Sequence, residues 1–219
     1  MESILLPLIL STSYLPPIEY FTSIINSKEV VIEQKESYKK QTFRNRCEIY
    51  SSNGKLSLSI PIIKINGHNT KTKDIKISFI ENWQKNHWRA IESAYNSSPF
   101  FLYYKDDFKK FFTEKHEKLI VFNSKLLMLL FEILGINYKV KFTNEFLKYY
   151  GDDFIDKRNL ISPKNNINNP QKFTSYSQVF DIKFGFISNL SIIDLIFNEG
   201  PNAIEYLKSQ KNNELLNKV

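Results

Sequence analysis

The amino-terminal 33 residues carry the pattern that most restricts the fold. Ile4–Leu10 is a short apolar run that predicts a buried strand, and Pro7 within it indicates an edge position or a bulge. Ile18–Asn26 follows with apolar side chains at helical spacing, and Val30–Glu33 is a β-branched run. This succession predicts a parallel βαβ unit with a right-handed crossover. Both strands should therefore end at one edge of the sheet, where open α/β sheets bind ligands.

At that edge the chain enters its most polar segment, Glu33–Arg46, with two glutamates, three lysines and two arginines. If buried, each of these charges would need a partner. We interpret the segment as ligand-facing, with recognition of an anion as its task; the alternative is a solvated, lysine-rich surface. Between Lys28 and Lys76 there are eleven Lys and Arg against five Asp and Glu, so most of the net charge of +7 lies nearby. Such a region attracts anions such as diphosphates, coenzyme A or nucleic acid.

Arg44 and Arg46 are two residues apart, so in an extended chain their side chains would share a face and could clamp a diphosphate. Tyr14, in the connection after the first strand, should line the same cleft. Glu33 and Glu36 could pair with the arginines, or one of them could deprotonate a substrate amine.

The rest of the chain predicts further strands and a helical second half. Asn53-Gly54 is a strong turn signal between Cys47–Tyr50 and Leu56–Ile62, which predicts an antiparallel hairpin. Additional strands are predicted at Ile75–Phe79 and Tyr138–Phe142. Helices are predicted at Trp83–Tyr95, in most of Phe100–Thr113, and at Glu114–Leu134 with Gly135 as its end.

Residues 156–172 are rich in Asn, Lys and Pro and are interpreted as a mobile loop. Ser191 and Asp194 have the spacing of a capping box for a helix through Phe197, and Pro201 should begin the last helix. A catalytic role for Asp194 is the less favoured alternative. Together these patterns predict one α/β domain over residues 1–219, with a mixed sheet opened by the βαβ unit.

Several classes of protein are excluded. The single Cys47 rules out a disulfide framework and is better explained as a small core residue than as a nucleophile. His68, His87 and His116 are scattered, so no metal site is predicted. Gly-rich phosphate loops are absent, and the apolar run at the amino terminus is too short to span a bilayer and lacks a signal-peptide pattern. We expect a cytoplasmic protein.

His87 shares a helix face with Trp83 and Ile91. This position favours a buried, hydrogen-bonded histidine. Its neighbours Lys85 and Arg89 leave open the alternative of a general base.

An ordered set of motifs resembles the WbqC-like protein family. The motifs are SYLPPIEYF, KQTFRNR, LSIP, W-x3-H-x3-I-x2-AY followed by NSSPFF, and YSQVF with GFISNLSIIDLIFNEG, and they cover most of the chain. The resemblance implies a cytoplasmic α/β protein of bacterial surface-polysaccharide synthesis, such as O-antigen synthesis. It further implies transfer of glycine or a similar acyl group to an amino sugar. The shared pattern includes Tyr14, Tyr20, Asn45, Arg46, Trp83 and Tyr95, whereas His87 belongs to one branch of the family.

These observations define the predicted site. The predicted catalytic residues are His87, Glu33 and Glu36. The predicted substrate-binding residues are Tyr14, Tyr20, Lys40, Arg44, Asn45, Arg46, Trp83 and Tyr95. The expected partner is an anionic small molecule, a sugar nucleotide or an acyl donor such as an acyl-coenzyme A; the sequence names no cofactor and no oligomeric state. The alternative function is a non-catalytic binding protein for an anionic sugar nucleotide or for nucleic acid. Nucleic acid is disfavoured because only Tyr38 and Phe43 interrupt the basic residues.

Overall fold

The computed structural model describes residues 5–168 and 170–210, and the chain is built on its amino-terminal βαβ unit. The unit consists of β1 (Leu8–Ser11), α1 (Ile18–Ile25) and β2 (Val30–Glu33). The two strands are parallel, with Leu8 opposite Val30 and Ser11 opposite Glu33, so both end at the same edge. The predicted unit is confirmed, although residue 4 of the predicted first strand lies outside the described residues.

Six further strands occur in the described part of the chain: β3 (Arg46–Ser51), β4 (Gly54–Ser59), β5 (Ile62–Ile63), β6 (Lys76–Ile77), β7 (Val140–Phe142) and β8 (Ile155–Asp156). Strands β1, β2, β7 and β8 form a parallel sheet in the order β7-β2-β1-β8. The chain first adds β2 and β7 on one side of β1 and then returns to the other side for β8. The strand order therefore reverses at β1, which places a crevice outside the carboxyl ends of β1 and β8.

The edge position predicted from Pro7 is wrong, because β1 lies inside the sheet. Pro7 precedes the strand, where its missing N–H removes no ladder hydrogen bond. Its carbonyl accepts a hydrogen bond of 2.9 Å from the amide of Ile155 instead.

The remaining strands form two antiparallel pairs. Strands β3 and β4 pair from Arg46 opposite Ser59 to Ser51 opposite Gly54, which confirms the predicted hairpin. Gly54 has a φ of +90°, a conformation that favours glycine. Strands β5 and β6 pair through Ile62 and Ile77, so the strand predicted near residue 75 is present but short.

The second half is mainly helical. Its helices are α2 (Trp83–Tyr95), α3 (Phe101–Lys109), α4 (Leu119–Leu134), α5 (Pro163–Asn168), α6 (Asp181–Phe184), α7 (Ile192–Glu199) and α8 (Ala203–Ser209). Helix α2 has the predicted bounds, and Gly135 ends α4 with a φ of +64°. The mixed α/β fold with a parallel sheet, hairpins and a helical second half is confirmed.

Two predicted segments differ from the structure. Helix α4 begins at Leu119 rather than at Glu114, because the residues before it run alongside β6, where the amide of Ile77 donates to the carbonyl of Glu117. Residues 156–172, predicted as a loop, contain the end of β8 and the whole of α5.

One cluster of buried apolar residues extends from Leu8 to Leu207. Helix α2 contributes Trp83, whose ring lies 5.7 Å from that of Phe122 in α4. Burial of such large rings contributes about 2–3 kcal/mol each, so this aromatic packing is a main source of stability. Cys47 is fully buried, and burial raises the pKa of its thiol, as expected of a core residue rather than a nucleophile. None of the described helices is long and apolar enough to cross a membrane.

Candidate functional site

The crevice outside β1 and β8 contains a small recess, here called the switch-point recess. Its polar lining comes from the loop after β1, from α1, from the charged segment after β2 and from the chain after β8. The polar side chains that line it include Ser11, Ser13, Tyr20, Arg44, Lys157 and Arg158. The sheet thus brings together residues that are far apart in the sequence, at the position where open α/β folds bind ligands.

A buried ion pair lies beside this recess. Arg44 donates to Glu36 Oε1 through Nε at 3.0 Å and through Nη2 at 2.6 Å, and both residues are 3% exposed. Arg44 Nη2 also donates to Ser11 Oγ at 2.6 Å, and that hydroxyl lies 3.0 Å from both Glu36 Oε1 and the carbonyl of Arg158. Every side-chain hydrogen bond of Glu36 to the described residues ends on Oε1. Its Oε2 is left with capacity to accept a proton or a ligand donor.

Glu33 has a different environment. Its Oε1 accepts from the amide of Lys35 at 2.7 Å and from Thr143 Oγ1 at 2.8 Å. Its Oε2 accepts from the Tyr150 hydroxyl at 3.0 Å and from Arg158 Nη1 at 3.2 Å. Both oxygens of Glu33 are thus occupied, and this carboxylate ties together the chain after β2, β7 and β8. A catalytic role for Glu33 stays a prediction, and its placement favours a supporting role.

Tyr14 joins the charged segment to the core. Its amide donates to the carbonyl of Phe43 at 2.8 Å, so the loop after β1 and the charged segment lie side by side, as the parallel strands predict. Its side chain is fully buried, with the hydroxyl 2.9 Å from His87 Nδ1, and does not line the recess, contrary to the prediction. Tyr20 does line the recess, and its hydroxyl donates to the carbonyl of Ser11 at 3.0 Å.

His87 lies in the core. Trp83 contacts its ring edge-on with centroids 5.1 Å apart, and the His87 side chain is 6% exposed. Burial lowers the pKa of His87 to about 4, although a hydrogen bond to the backbone of Ser59 opposes this effect. His87 is therefore neutral near pH 7, and the placement favours the buried, hydrogen-bonded alternative.

Arg44 and Arg46 do not share a face. Arg44 lies in a turn before β3, whereas Arg46 begins β3, so the extended conformation that the diphosphate clamp requires is absent. Arg46 instead lines an open groove on the other side of the segment, with Tyr38, Lys40, Asn45 and Lys64. We call this the basic groove. The predicted clamp by both arginines is wrong for this physical reason.

Asp194 is a buried hydrogen-bond acceptor and not a helix cap. Ser191 precedes α7, but its hydroxyl donates to a carbonyl in the loop after β1 and makes no capping bond. The Asp194 carboxylate accepts from the Tyr176 hydroxyl at 2.5 Å and from Gln178 Nε2 at 2.8 Å. Burial raises the pKa of Asp194 to about 6, although hydrogen bonds from Tyr176, Gln178 and Tyr95 partly offset this effect. The predicted capping box is therefore wrong, and Tyr95 belongs to this cluster rather than to the recess.

Backbone strain occurs in the loop after β1 and in the basic groove. Leu15, in the loop after β1, has a φ of +40°, and Gln41, which lines the basic groove, has a φ of +57°. Such conformations cost non-glycine residues about 1 kcal/mol or more and often occur where function fixes the backbone. Among the residues described, no group of three or more His, Cys, Asp and Glu side chains is arranged to hold a metal ion.

Comparison with known proteins decides the family. A sequence profile of the WbqC-like protein family matches residues 12–157 and 149–206. The chain belongs to the WbqC-like family. It is similar to the uncharacterized protein Rv1507c of Mycobacterium tuberculosis, with 25% identity over 226 residues that cover 91% of this chain and 96% of that protein. No solved structure matches the chain. The matched residues of this WbqC-like chain include Arg44 and Arg158, which line the switch-point recess, and Glu36, which pairs with Arg44.

Several residues that line the switch-point recess or the basic groove were not predicted from the sequence. Ser11 could have been found, because it ends the first strand at the predicted ligand edge. Arg158 could not, since it follows a strand of two residues in a segment with the composition of a loop. Lys64 lies in a polar, turn-rich stretch that gave no sign of its position beside Arg46.

Proposed function

We propose that this WbqC-like protein transfers an acyl or aminoacyl group, such as glycyl, to the amine of an amino sugar, with the reacting groups at the switch-point recess. The observation that carries the proposal is the buried cluster of Ser11, Glu36 and Arg44 at the point where the strand order reverses. A buried ion pair is weak evidence for stability, because desolvation of the two charges can exceed their attraction. Its position at the ligand edge of the sheet supports a chemical role instead.

In the proposed reaction the acceptor nitrogen forms a bond to the acyl carbon, and the bond between that carbon and the leaving group of the donor breaks with departure of its electron pair. The amine must lose a proton, which the free Oε2 of Glu36 is proposed to accept. Arg44 can stabilise the developing oxyanion, and Ser11 holds Arg44 and Glu36 in position. The recess has a free volume of about 10 Å³, enough for a group the size of an amine or a water molecule. Only the reacting end of the acceptor can therefore enter the recess.

The family supports the choice of substrate, since the resemblance described above implies acylation of amino sugars in surface-polysaccharide synthesis. Nucleotide-linked sugars and acyl thioesters are cytoplasmic metabolites, so the proposal places the activity in the cytoplasm. The second candidate is a non-catalytic protein that binds a sugar nucleotide, and the open basic groove is the observation that favours it.

Mass spectrometry can test the proposed reaction. The purified protein is incubated with acyl-coenzyme A or a glycyl thioester together with UDP- or dTDP-linked amino sugars, and the masses of the sugars are followed. We expect a product heavier by the acyl group. Ser11→Ala should form it at a rate at least about tenfold lower than wild type, because the ion pair loses its positioning contact. Ser98→Ala is the matched control, since Ser98 is also a buried serine that donates to a backbone carbonyl. Binding of these sugars without acylation by any donor would favour the non-catalytic alternative.

A further inference from the structure

The basic groove lies between the charged segment and the chain that connects β4 to β5. Its volume is about 640 Å³, which is within the range of small-molecule sites. Its lining includes the apolar residues Ile60, Pro61 and Ile62 and the cations Lys40, Arg46 and Lys64. The groove is thus large enough for a ligand that the switch-point recess, with about 10 Å³, cannot hold.

The charges of this groove are not compensated. No Asp or Glu is among the described residues that line it. Other lysines of the chain do have carboxylate partners, such as Lys76 with Glu117 at 2.6 Å and Lys141 with Glu29 at 2.6 Å. Lys40, Arg46 and Lys64 form no ion pair with any residue that the structure describes. Three neighbouring cations without counter-charges favour a ligand with more than one negative charge.

The groove also contains an aromatic side chain with a hydroxyl donor, that of Tyr38. Lys64 Nζ lies 5.2 Å from the centroid of the Tyr38 ring, so this cation is held over an aromatic face. The Tyr38 hydroxyl makes no hydrogen bond within the described chain, and burial raises its pKa to about 12, against the opposing effect of Arg44 and Arg46. The phenol is therefore a protonated donor that is available to a ligand.

Arg46 is partly immobilised. Its Nε donates to Ser59 Oγ at 3.2 Å, while neighbouring Asn45 donates to the carbonyl of Ile60 at 2.7 Å. These bonds fix the arginine at the start of β3 and leave its terminal nitrogens for a ligand. A planar guanidinium binds two phosphate oxygens at once, and lysines add compact charges beside it.

We propose that the basic groove binds the diphosphate of an organic diphosphate, with Lys40, Arg46 and Lys64 around its oxygens and the Tyr38 hydroxyl as a further donor. Nucleotide sugars and coenzyme A share this chemistry. Assignment of the bound molecule as the carrier of a reacting group rests on the proposed function, whereas diphosphate binding itself does not.

Calorimetric titration of the full chain with pyrophosphate, UDP, coenzyme A and inorganic phosphate tests this proposal. We expect the diphosphates to bind more tightly than phosphate and to weaken as salt rises from about 20 to about 150 mM. Arg46→Ala and Lys64→Ala should each weaken binding of pyrophosphate by roughly 10- to 100-fold. Tighter binding of UDP than of coenzyme A identifies a nucleotide-sugar carrier, and the reverse order identifies an acyl carrier; both outcomes support the groove.

Matched controls separate a built site from general charge. Arg89→Ala and Lys85→Ala remove the same charges from exposed positions of α2 outside the groove, and binding should stay within about twofold of wild type. Ser11→Ala should also retain diphosphate binding, so loss of acyl transfer and loss of this site are distinguishable. Equal weakening by the α2 variants, absence of binding at about millimolar pyrophosphate, or tighter binding of a short RNA than of UDP would each overturn the proposal.

Discussion

Arg44 Nη2 lies 2.6 Å from Glu36 Oε1, and both residues are only 3% exposed. They are eight positions apart in a segment that the sequence shows only as a run of mixed charge. Arg44 lines the switch-point recess, whereas Arg46, two residues further along the chain, lines the basic groove.

Removal of one partner of the Arg44–Glu36 pair should destabilise the protein strongly, whereas replacement of both partners by apolar residues should have a small effect. Glu36→Leu leaves the Arg44 guanidinium buried without its counter-charge, so the free energy of unfolding should fall by about 3–5 kcal/mol. The double variant Glu36→Leu/Arg44→Met should recover most of this loss. Urea denaturation measures both. Glu205→Leu, which breaks an exposed pair with Lys208, is the control and should cost about 1 kcal/mol or less. A loss that small for Glu36→Leu would contradict a buried pair.

We expect His87 to contribute to the stability of the fold and not to catalysis. If it is a core residue, His87→Ala should lower the melting temperature and reduce activity only in proportion to the folded fraction. If it is the general base, kcat should fall by roughly 10²–10⁴-fold in protein that remains folded. Parallel melting curves and turnover measurements decide between these outcomes.

His87 also predicts a pH dependence. The folded-state pKa of about 4 lies below the ordinary value of about 6.5, so the unfolded chain binds more protons between these values. Stability from this group is present above about pH 6.5 and is lost as the pH falls towards 4. The loss is up to about 3 kcal/mol, measured as the free energy of unfolding in wild type and His87→Phe. An unchanged pH profile in the variant would contradict the burial of a neutral imidazole.

The contribution of Asp194 to stability should change with pH in the opposite direction to that of His87. Its folded-state pKa of about 6 lies above the ordinary value, so the folded chain binds more protons at this group between about pH 4 and 6, and the contribution of Asp194 to stability falls as the pH rises through this window. Asp194→Asn removes this titration, so the free energy of unfolding of wild type minus that of the variant should decrease as the pH rises through the window, as measured by urea denaturation. Asp194→Ala should cost about 2–4 kcal/mol, since the Tyr176 hydroxyl and Gln178 amide lose their acceptor. A cost below about 1 kcal/mol would restore the capping interpretation.

Local patterns were sufficient for much of the fold. The βαβ unit, the hairpin at Gly54 and helix α2 were predictable because hydrophobic periodicity and turn residues act within a few positions of each other. Strand β8 was not, because its two residues are a strand only through pairing with Leu8 and Ile9, which is a tertiary contact. The predicted start of α4 failed for the same reason, since a partner strand holds the residues before Leu119 extended.

The position of the candidate site in the fold could be predicted from the sequence, but its hydrogen bonds could not. The parallel strands correctly placed the loop after β1 beside the charged segment, as the bond from Tyr14 to Phe43 demonstrates. The partners of the two glutamates were beyond reach, because Arg158 lies 125 residues from Glu33 and its segment has no regular pattern. Glu33 and Glu36 therefore looked equivalent in sequence. In the structure, only Glu36 of the two has a carboxylate oxygen that accepts no hydrogen bond from a described side chain.

That difference gives the most direct test of a reactive centre at the switch-point recess. Glu33→Gln and Glu36→Gln make the same chemical change at two buried carboxylates, and kcat for acyl transfer is measured per folded molecule, with folding followed by circular dichroism. We predict that Glu36→Gln lowers kcat by roughly 10²–10⁴-fold, as for loss of a general base, while Glu33→Gln loses stability and keeps kcat within about tenfold of wild type. A Glu36→Gln protein with wild-type kcat, or a larger loss in Glu33→Gln, would contradict this prediction.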